Sequence, residues 1–249
     1  MTLWQNIRAL FERGDWLVQA GDAFGALVEQ VRSAFAGDPA TRRRVGFSVA
    51  LIALSAKMAK ADGVVTAPEV EAFQQVFEVP PGEFDNVARL YNLAKQDVAG
   101  FDLYADRVRA LFPGPAADDD AILRDVLDAL FHIAGADGFL HEAELSFLRE
   151  IASRFGLSEV DFEAFATIHA GGEADPYAVL GAQPGWSFAE LRRQYRRRVA
   201  ESHPDRLIAR GVPNEFVRAA TDRMAAINAA WATIEAHRGA GPVSDRAAA

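Results

Sequence analysis

There is no cysteine among the 249 residues. Disulfide scaffolds, zinc ribbons and thiol catalysis are thereby excluded, and the chain fits a reducing compartment. Strand-like alternation bounded by turn residues is also missing; nearly every long segment has helical periodicity. Nothing at the N-terminus reads as a signal peptide, because Leu3, Trp4, Ile7, Leu10 and Phe11 are interrupted by Arg8, Glu12, Arg13 and Asp15. The longest apolar run, Val45 to Ala56, contains Ser48 and Ser55 and ends at Lys57. It is too short to span a bilayer and reads as a buried core helix. These absences predict an all-α protein placed in the cytoplasm.

What is present supports a folded chain. Half of the residues, 50%, are hydrophobic and 24% are charged, the range of a globular protein of one large or two ordinary domains. The net charge of −9 is uneven. Residues 175–238 hold ten arginines against seven acids, whereas residues 1–174 hold fifteen basic residues against twenty-seven acids. An acidic body with a basic end-piece suggests two modules with different partners; the plainer alternative is an acidic surface that keeps the protein dissolved.

Turn residues divide the chain. Residues 1–39 are an amphipathic N-terminal helical segment, interrupted by Gly14, Gly21 and Gly25 and closed by Gly37-Asp38-Pro39. Residues 40–170 form a helical domain and 171–174 a short linker. A second domain covers 175–238, and 239–249 is a disordered tail.

The middle domain contains a repeat. Ala61-Asp62-Gly63 followed by Glu69 recurs as Ala136-Asp137-Gly138 followed by Glu144, each copy lying between an apolar helix and an amphipathic one. Two such hairpins can share a core that neither could close alone. The turn has a structural explanation. Gly63 and Gly138 can take the left-handed conformation that ends a helix. Thr66 and Glu69 have capping-box spacing, with Pro68 harmless in the first turn. In the second copy His141 replaces Thr66, which predicts a weaker cap. The functional alternative is a divalent cation held by Asp62, Glu69, Asp137 and Glu144, although each turn offers fewer acids than a complete calcium loop requires. This pair of Ala-Asp-Gly turns resembles the TerB (tellurite-resistance) domain superfamily over roughly residues 42–170. The resemblance implies a helical scaffold with acidic clusters and no particular reaction.

The C-terminal module carries more signals. Asp175 can cap a short helix that begins at Pro176 and stops at Gly181. Ser187 and Glu190 form a capping box, and Trp186 with Leu191 has staple spacing. Phe188, Leu191, Tyr195 and Val199 share one face of the helix that follows, with Arg192, Arg193, Arg196, Arg197 and Arg198 off it. Pro204 breaks that helix at His203-Pro204-Asp205. A further helix, from about Asn214 to His237, brings Ala220, Met224, Ile227, Trp231 and Ile234 to one side.

The Asp-Pro-Tyr-x-Val-Leu-Gly start, the Tyr195-Arg196 pair on a basic helix, the His-Pro-Asp turn and the later Ile227-Asn228-x-Ala230-Trp231 together look like a J-domain covering residues 175–238. Trp231 stands where that family usually has tyrosine. The resemblance implies that His203, Pro204 and Asp205, with Arg192, Arg193, Arg196 and Arg197, dock on a DnaK-type Hsp70 and favour its ATP hydrolysis, the module doing no catalysis itself. An arginine-rich helix is elsewhere a phosphate binder. Here no aromatics interleave with the exposed arginines, so nucleic acid is not expected. His203 has no nucleophile beside it.

A TerB-like domain followed by a C-terminal J-domain resembles the DjlA-type, DnaJ-like co-chaperones of Gram-negative bacteria. That implies a client or location adaptor in the TerB-like part, with client and oligomeric state unspecified. That family commonly begins with a membrane-spanning segment, which this sequence does not show. Trp4, Ile7, Leu10, Phe11, Trp16 and Leu17 leave peripheral contact with the inner membrane as an alternative, while the glycines and acids around them favour packing on the domain. No Gly/Phe-rich stretch is present. The competing function is a metal- or stress-responsive TerB-like binding protein in which the J-domain is secondary.

Overall fold

The apolar run Val45–Ala56 lies inside α3 (Pro39–Ala61), and every side chain from Val45 to Met58 is buried, Ser48, Ser55 and Lys57 included. A helix apolar all round must be covered on all sides, and α3 is the hub of the molecule. The structure, a computed structural model, describes residues 3–12, 23–61, 80–96, 100–112, 116–170, 174–210, 212 and 216–239. Around α3 pack α1 (Leu3–Glu12), α2 (Ala23–Ala34), α4 (Phe84–Gln96), α5 (Phe101–Ala110), α6 (Ala116–Ala134) and α7 (Glu142–Phe155). Two of these buried polar groups on α3 have partners. The Ser48 hydroxyl donates to the Arg44 carbonyl at 3.3 Å, and the Lys57 ammonium lies 4.2 Å from the centre of the Tyr104 ring.

The remaining helices are α8 (Glu159–His169), α9 (Pro176–Leu180), α10 (Phe188–Glu201), α11 (Pro204–Arg210) and α12 (Val217–Gly239), and no strand occurs among the described residues. The all-α expectation holds. No helix among the described residues is long and apolar enough to cross a membrane. Of the N-terminal residues weighed for membrane contact, Trp4, Ile7 and Leu10 are buried in the main core; Trp16 and Leu17 lie outside the described residues.

Two apolar clusters hold the helices. The larger one runs through α1 to α8, with Phe24 stacked on Tyr104 at 4.1 Å. The smaller joins Val179 and Leu180 of α9, Leu191 of α10, and Ile227, Ala230, Trp231 and Ile234 of α12. The division does not follow the chain. Leu207 of α11, with Val212, Phe216 and Ala220, belongs to the larger cluster, and the Phe216 ring meets Phe47 of α3 edge-on at 4.5 Å. Thus Ala220, which the sequence groups with Ile227 and Trp231, packs elsewhere, because α12 passes from one core to the other.

Candidate functional site

The C-terminal unit is built on well-capped short helices. The Asp175 carboxylate accepts from the Tyr177 N–H at 3.0 Å, Pro176 occupies the first helical position of α9, and Gly181 ends it at φ 61°. Ser187 and Glu190 form the expected capping box: the Ser187 N–H donates to the Glu190 carboxylate at 2.8 Å and the Glu190 N–H to the Ser187 hydroxyl at 3.3 Å. The Ser187 hydroxyl, which donates to the Glu190 carboxylate at 2.7 Å, together with the Ser187 N–H and the nearby Arg193, holds the Glu190 carboxyl below its ordinary pKa.

The faces of α10 divide by periodicity. Leu191, Gln194 and Arg198 point inward. Tyr195 stacks on Trp231 at 4.9 Å and its hydroxyl donates to the Asn228 side-chain oxygen at 3.1 Å. Arg192, Arg193, Arg196 and Arg197 are exposed. The helix closes at Ser202, since Pro204 supplies no N–H. Residues 204–210 then form α11, a helix within the connection that the sequence did not suggest.

His203 is both the bend and the cap of α11. Its carbonyl accepts from the Arg206 N–H at 2.9 Å, and its ring Nδ1 accepts from the Asp205 N–H at 3.2 Å. The turn is open to solvent: the His203 side chain is 51% exposed and that of Asp205 88%. Pro204 fixes the backbone between them. Tyr195, Arg196, Val199, Ala200, His203 and Arg206 line one shallow groove, so Arg196 and His203 are brought together. Arg197 instead reaches the groove against α8, with its Nε 3.8 Å from Glu201. Arg192 and Arg193 stand exposed nearer the start of α10. The surface offers a rigid polar turn beside basic side chains and, among the described residues, holds no paired nucleophile and base.

Beneath it lies a seam of buried charge that the sequence did not suggest. Arg198, read there with the solvated arginines, is 7% exposed. Its Nη1 lies 2.8 Å from the Asp161 carboxylate on α8, and its Nε donates to the Leu180 carbonyl at 3.2 Å. Arg124 reaches Asp161 at 3.3 Å. Arg223 on α12 joins Asp125 at 3.2 Å and Asp128 at 2.9 Å, both on α6. Asp128 also meets the His169 Nε2 at 2.9 Å. Arg210, at the end of α11, lies 2.7 Å from Asp125. Burial is the largest influence on each carboxyl. It raises Asp125 despite Arg223 and Arg210. At Asp128 it is outweighed by Arg223 and His169, and at Asp161 by Arg198 and Arg124, so both are held below the ordinary value. Part of the acidic body and part of the basic end-piece are therefore partners of one another.

The second acidic turn has local work. The Asp137 carboxylate accepts from the Phe139 N–H at 3.0 Å, and the buried Glu144 carboxylate accepts from the His141 N–H at 3.0 Å, while Gly138 takes φ 90°. Asp62 and Glu69, with the cap proposed for Thr66 and Pro68, lie outside the described residues. Among the described residues no three His, Asp or Glu side chains gather in a way that could hold a metal.

Residues 48–167 match the family of the tellurite resistance protein TerB. Over 224 residues the chain is 29% identical to the co-chaperone protein DjlA of Photobacterium profundum, covering 79% of each chain. It is 29% identical over 143 residues to the DjlA co-chaperone of Photorhabdus laumondii, and 28% identical over 142 residues to that of Escherichia coli. In both of these the match covers 47% of this chain and 52% of the relative, so the chain spans about half their length. No solved structure matches significantly. Asp125, Asp128 and Asp161 all fall within the TerB match, whereas Arg198, Arg210 and Arg223 all follow it.

Proposed function

We propose, from the premise that the chain is DjlA-like with a TerB domain at residues 48–167, that it is a co-chaperone which docks on a DnaK-type Hsp70 and stimulates ATP hydrolysis there. The observation that carries this is the exposed His203-Pro204-Asp205 turn, set by α10 and α11 beside a basic helix face. Recognition residues sit on turns that a rigid scaffold presents, and this turn is stiffened by Pro204 and by the cap that His203 supplies. Arg192, Arg193, Arg196 and Arg197 give the face a positive field that speeds encounter with an acidic partner. The chain is not the enzyme of this reaction: it favours one state of its partner, by binding that state more tightly than the other. The TerB domain supplies the choice of client or location.

Single-turnover ATP hydrolysis by a bacterial DnaK-type Hsp70, with and without the full chain, tests this reading. Several-fold stimulation that disappears with His203→Gln is expected. No stimulation by the intact protein, or equal stimulation by the variant, overturns it.

A further inference from the structure

The His203-Pro204-Asp205 turn belongs to the C-terminal unit, but its support does not. Arg210 lies at the far end of α11, and its Nη2 donates to two places: the Glu201 carbonyl at 3.2 Å, at the end of α10, and the Asp125 carboxylate at 2.7 Å, on α6. The first bond closes the segment 201–210 across its ends, with the turn at its bend. The second fastens that closed segment to the TerB domain. Leu207 and Val212 strengthen the same attachment, each 2% exposed and each in the larger core rather than the smaller. A helix of seven residues has no stability of its own, so the orientation of α11 is set by these contacts.

From this geometry we propose that Asp125, on α6, is a positioning residue for the His203-Pro204-Asp205 turn, acting through Arg210. The TerB domain thereby holds the docking turn in its working orientation, in addition to any choice of client. Asp125 is well placed for the task, since its other oxygen is taken by Arg223 at 3.2 Å, which fixes the carboxylate plane. The arrangement is selective. Arg223 binds the same acid but leads only to α12, whereas Arg210 leads to the turn.

That difference makes the proposal testable, and the proposal rests on the co-chaperone reading only for its functional half. Arg210→Met, Arg210→Lys and Arg223→Met would be compared in the full chain by amide hydrogen exchange and by Hsp70 stimulation. For Arg210→Met, exchange at Leu207 to Arg210 is expected to quicken about tenfold, the effect of losing a charged hydrogen bond that holds a local unit shut. The concentration giving half-maximal stimulation is expected to rise several-fold, with partial recovery in Arg210→Lys. Arg223→Met removes as much buried charge from the same acid, and is expected to lower the urea midpoint without either effect. Unchanged exchange in Arg210→Met overturns the proposal. So does equal loosening in Arg223→Met, which would reduce Arg210 to general stability, or loosened exchange with stimulation intact. If the unaltered protein stimulates no Hsp70, the co-chaperone reading falls, and the exchange comparison alone decides whether Asp125 and Arg210 set the turn.

Discussion

Arg198 reaches out of α10 and meets Asp161 of α8 at 2.8 Å, which makes one buried ion pair a principal tie between the C-terminal unit and the region that matches TerB. The two ends of that pair are unequally supported. Asp161 also receives the Ser158 hydroxyl at 2.9 Å and Arg124 at 3.3 Å, whereas Arg198, among the described residues, has besides it only the Leu180 carbonyl at 3.2 Å and the more distant Glu201 at 3.8 Å. Removing one partner of a buried pair costs most where the other is left uncompensated. Asp161→Asn is therefore expected to lower the unfolding free energy by about 3 kcal/mol. Arg198→Met should cost only about 1 kcal/mol, because Asp161 keeps its other donors. Urea denaturation of the full chain measures both, and the reverse order would contradict this asymmetry.

The same seam sets the response to acid. Asp128 and Asp161 titrate below the ordinary 3.8 in the folded protein. Each contributes stability that is fully present above about pH 3.8 and is lost as the pH falls through its lower folded value. Asp125 is raised by burial, so it acts in the opposite sense: its contribution belongs to the acid side and is lost as the pH rises through its folded value. The Asp161 contribution by itself should lower the urea midpoint as the pH drops below about 3.8. Asp161→Asn should flatten that fall. Parallel curves for variant and parent would show that Asp161 has no part in it.

Gly181 lies against this pair. It stands at φ 61°, and a β-carbon there would meet the Arg198 Nη2 at 2.5 Å and a Val160 methyl at 3.0 Å. Gly181→Ala combines the left-handed penalty of about 1–2 kcal/mol with displacement of Arg198. Part of that cost should vanish when Arg198 is already Met, a non-additivity of about 0.5–1 kcal/mol in a double-mutant cycle. Additive losses would mean that the guanidinium moves aside freely.

Much of this was legible in the chain. The caps at Asp175 and Ser187, the stop at Gly181 and the break at Pro204 are local, and local chemistry is written in sequence. So was the buried course of α3, because an apolar run of that length leaves no solvent face. Arg198 shows where legibility ends. It follows Leu191 by seven positions and Gln194 by four, so helical period alone turns it inward, yet its charge suggests solvent. What overrides that suggestion is Asp161, on a different helix, and no local pattern announces such a partner. Asp125 and Asp128 likewise look like two more acids in an acidic body until Arg210 and Arg223 are seen against them. α11 escaped notice for another reason. Seven residues with a single buried apolar side chain, Leu207, are too few for a period to show.

The small core of the C-terminal unit turns on Trp231, which Tyr195 stacks against at 4.9 Å and Phe188 approaches at 5.4 Å. The ring is buried and fills the space between α10 and α12. Trp231→Ala should cost about 3–5 kcal/mol, by lost burial and a cavity that two aromatic rings cannot close. Trp231→Tyr keeps an aromatic plane for Tyr195 and should recover most of that loss. Near-UV circular dichroism with urea denaturation separates the outcomes, and equal losses for both variants would show that the smaller aromatic ring restores neither the packing nor the stacking.

Finally, the exposed arginines of α10 differ in their surroundings, and so should their effects on docking. Arg196 lines the groove that contains His203, whereas Arg197 faces α8 with Glu201 at 3.8 Å, an acid that partly cancels its field. Surface charges act mainly on encounter rate and salt sensitivity. Arg196→Ala is therefore expected to raise the half-maximal concentration for Hsp70 stimulation several-fold in low salt, and Arg197→Ala distinctly less. Arg192→Ala and Arg193→Ala should fall between them, since both are exposed but stand nearer the start of α10. All four differences should shrink together as salt is added, because screening removes the field they share. Effects that persist undiminished in high salt would mean close contacts rather than steering. Equal effects of Arg196 and Arg197 would mean that the partner covers both sides of α10.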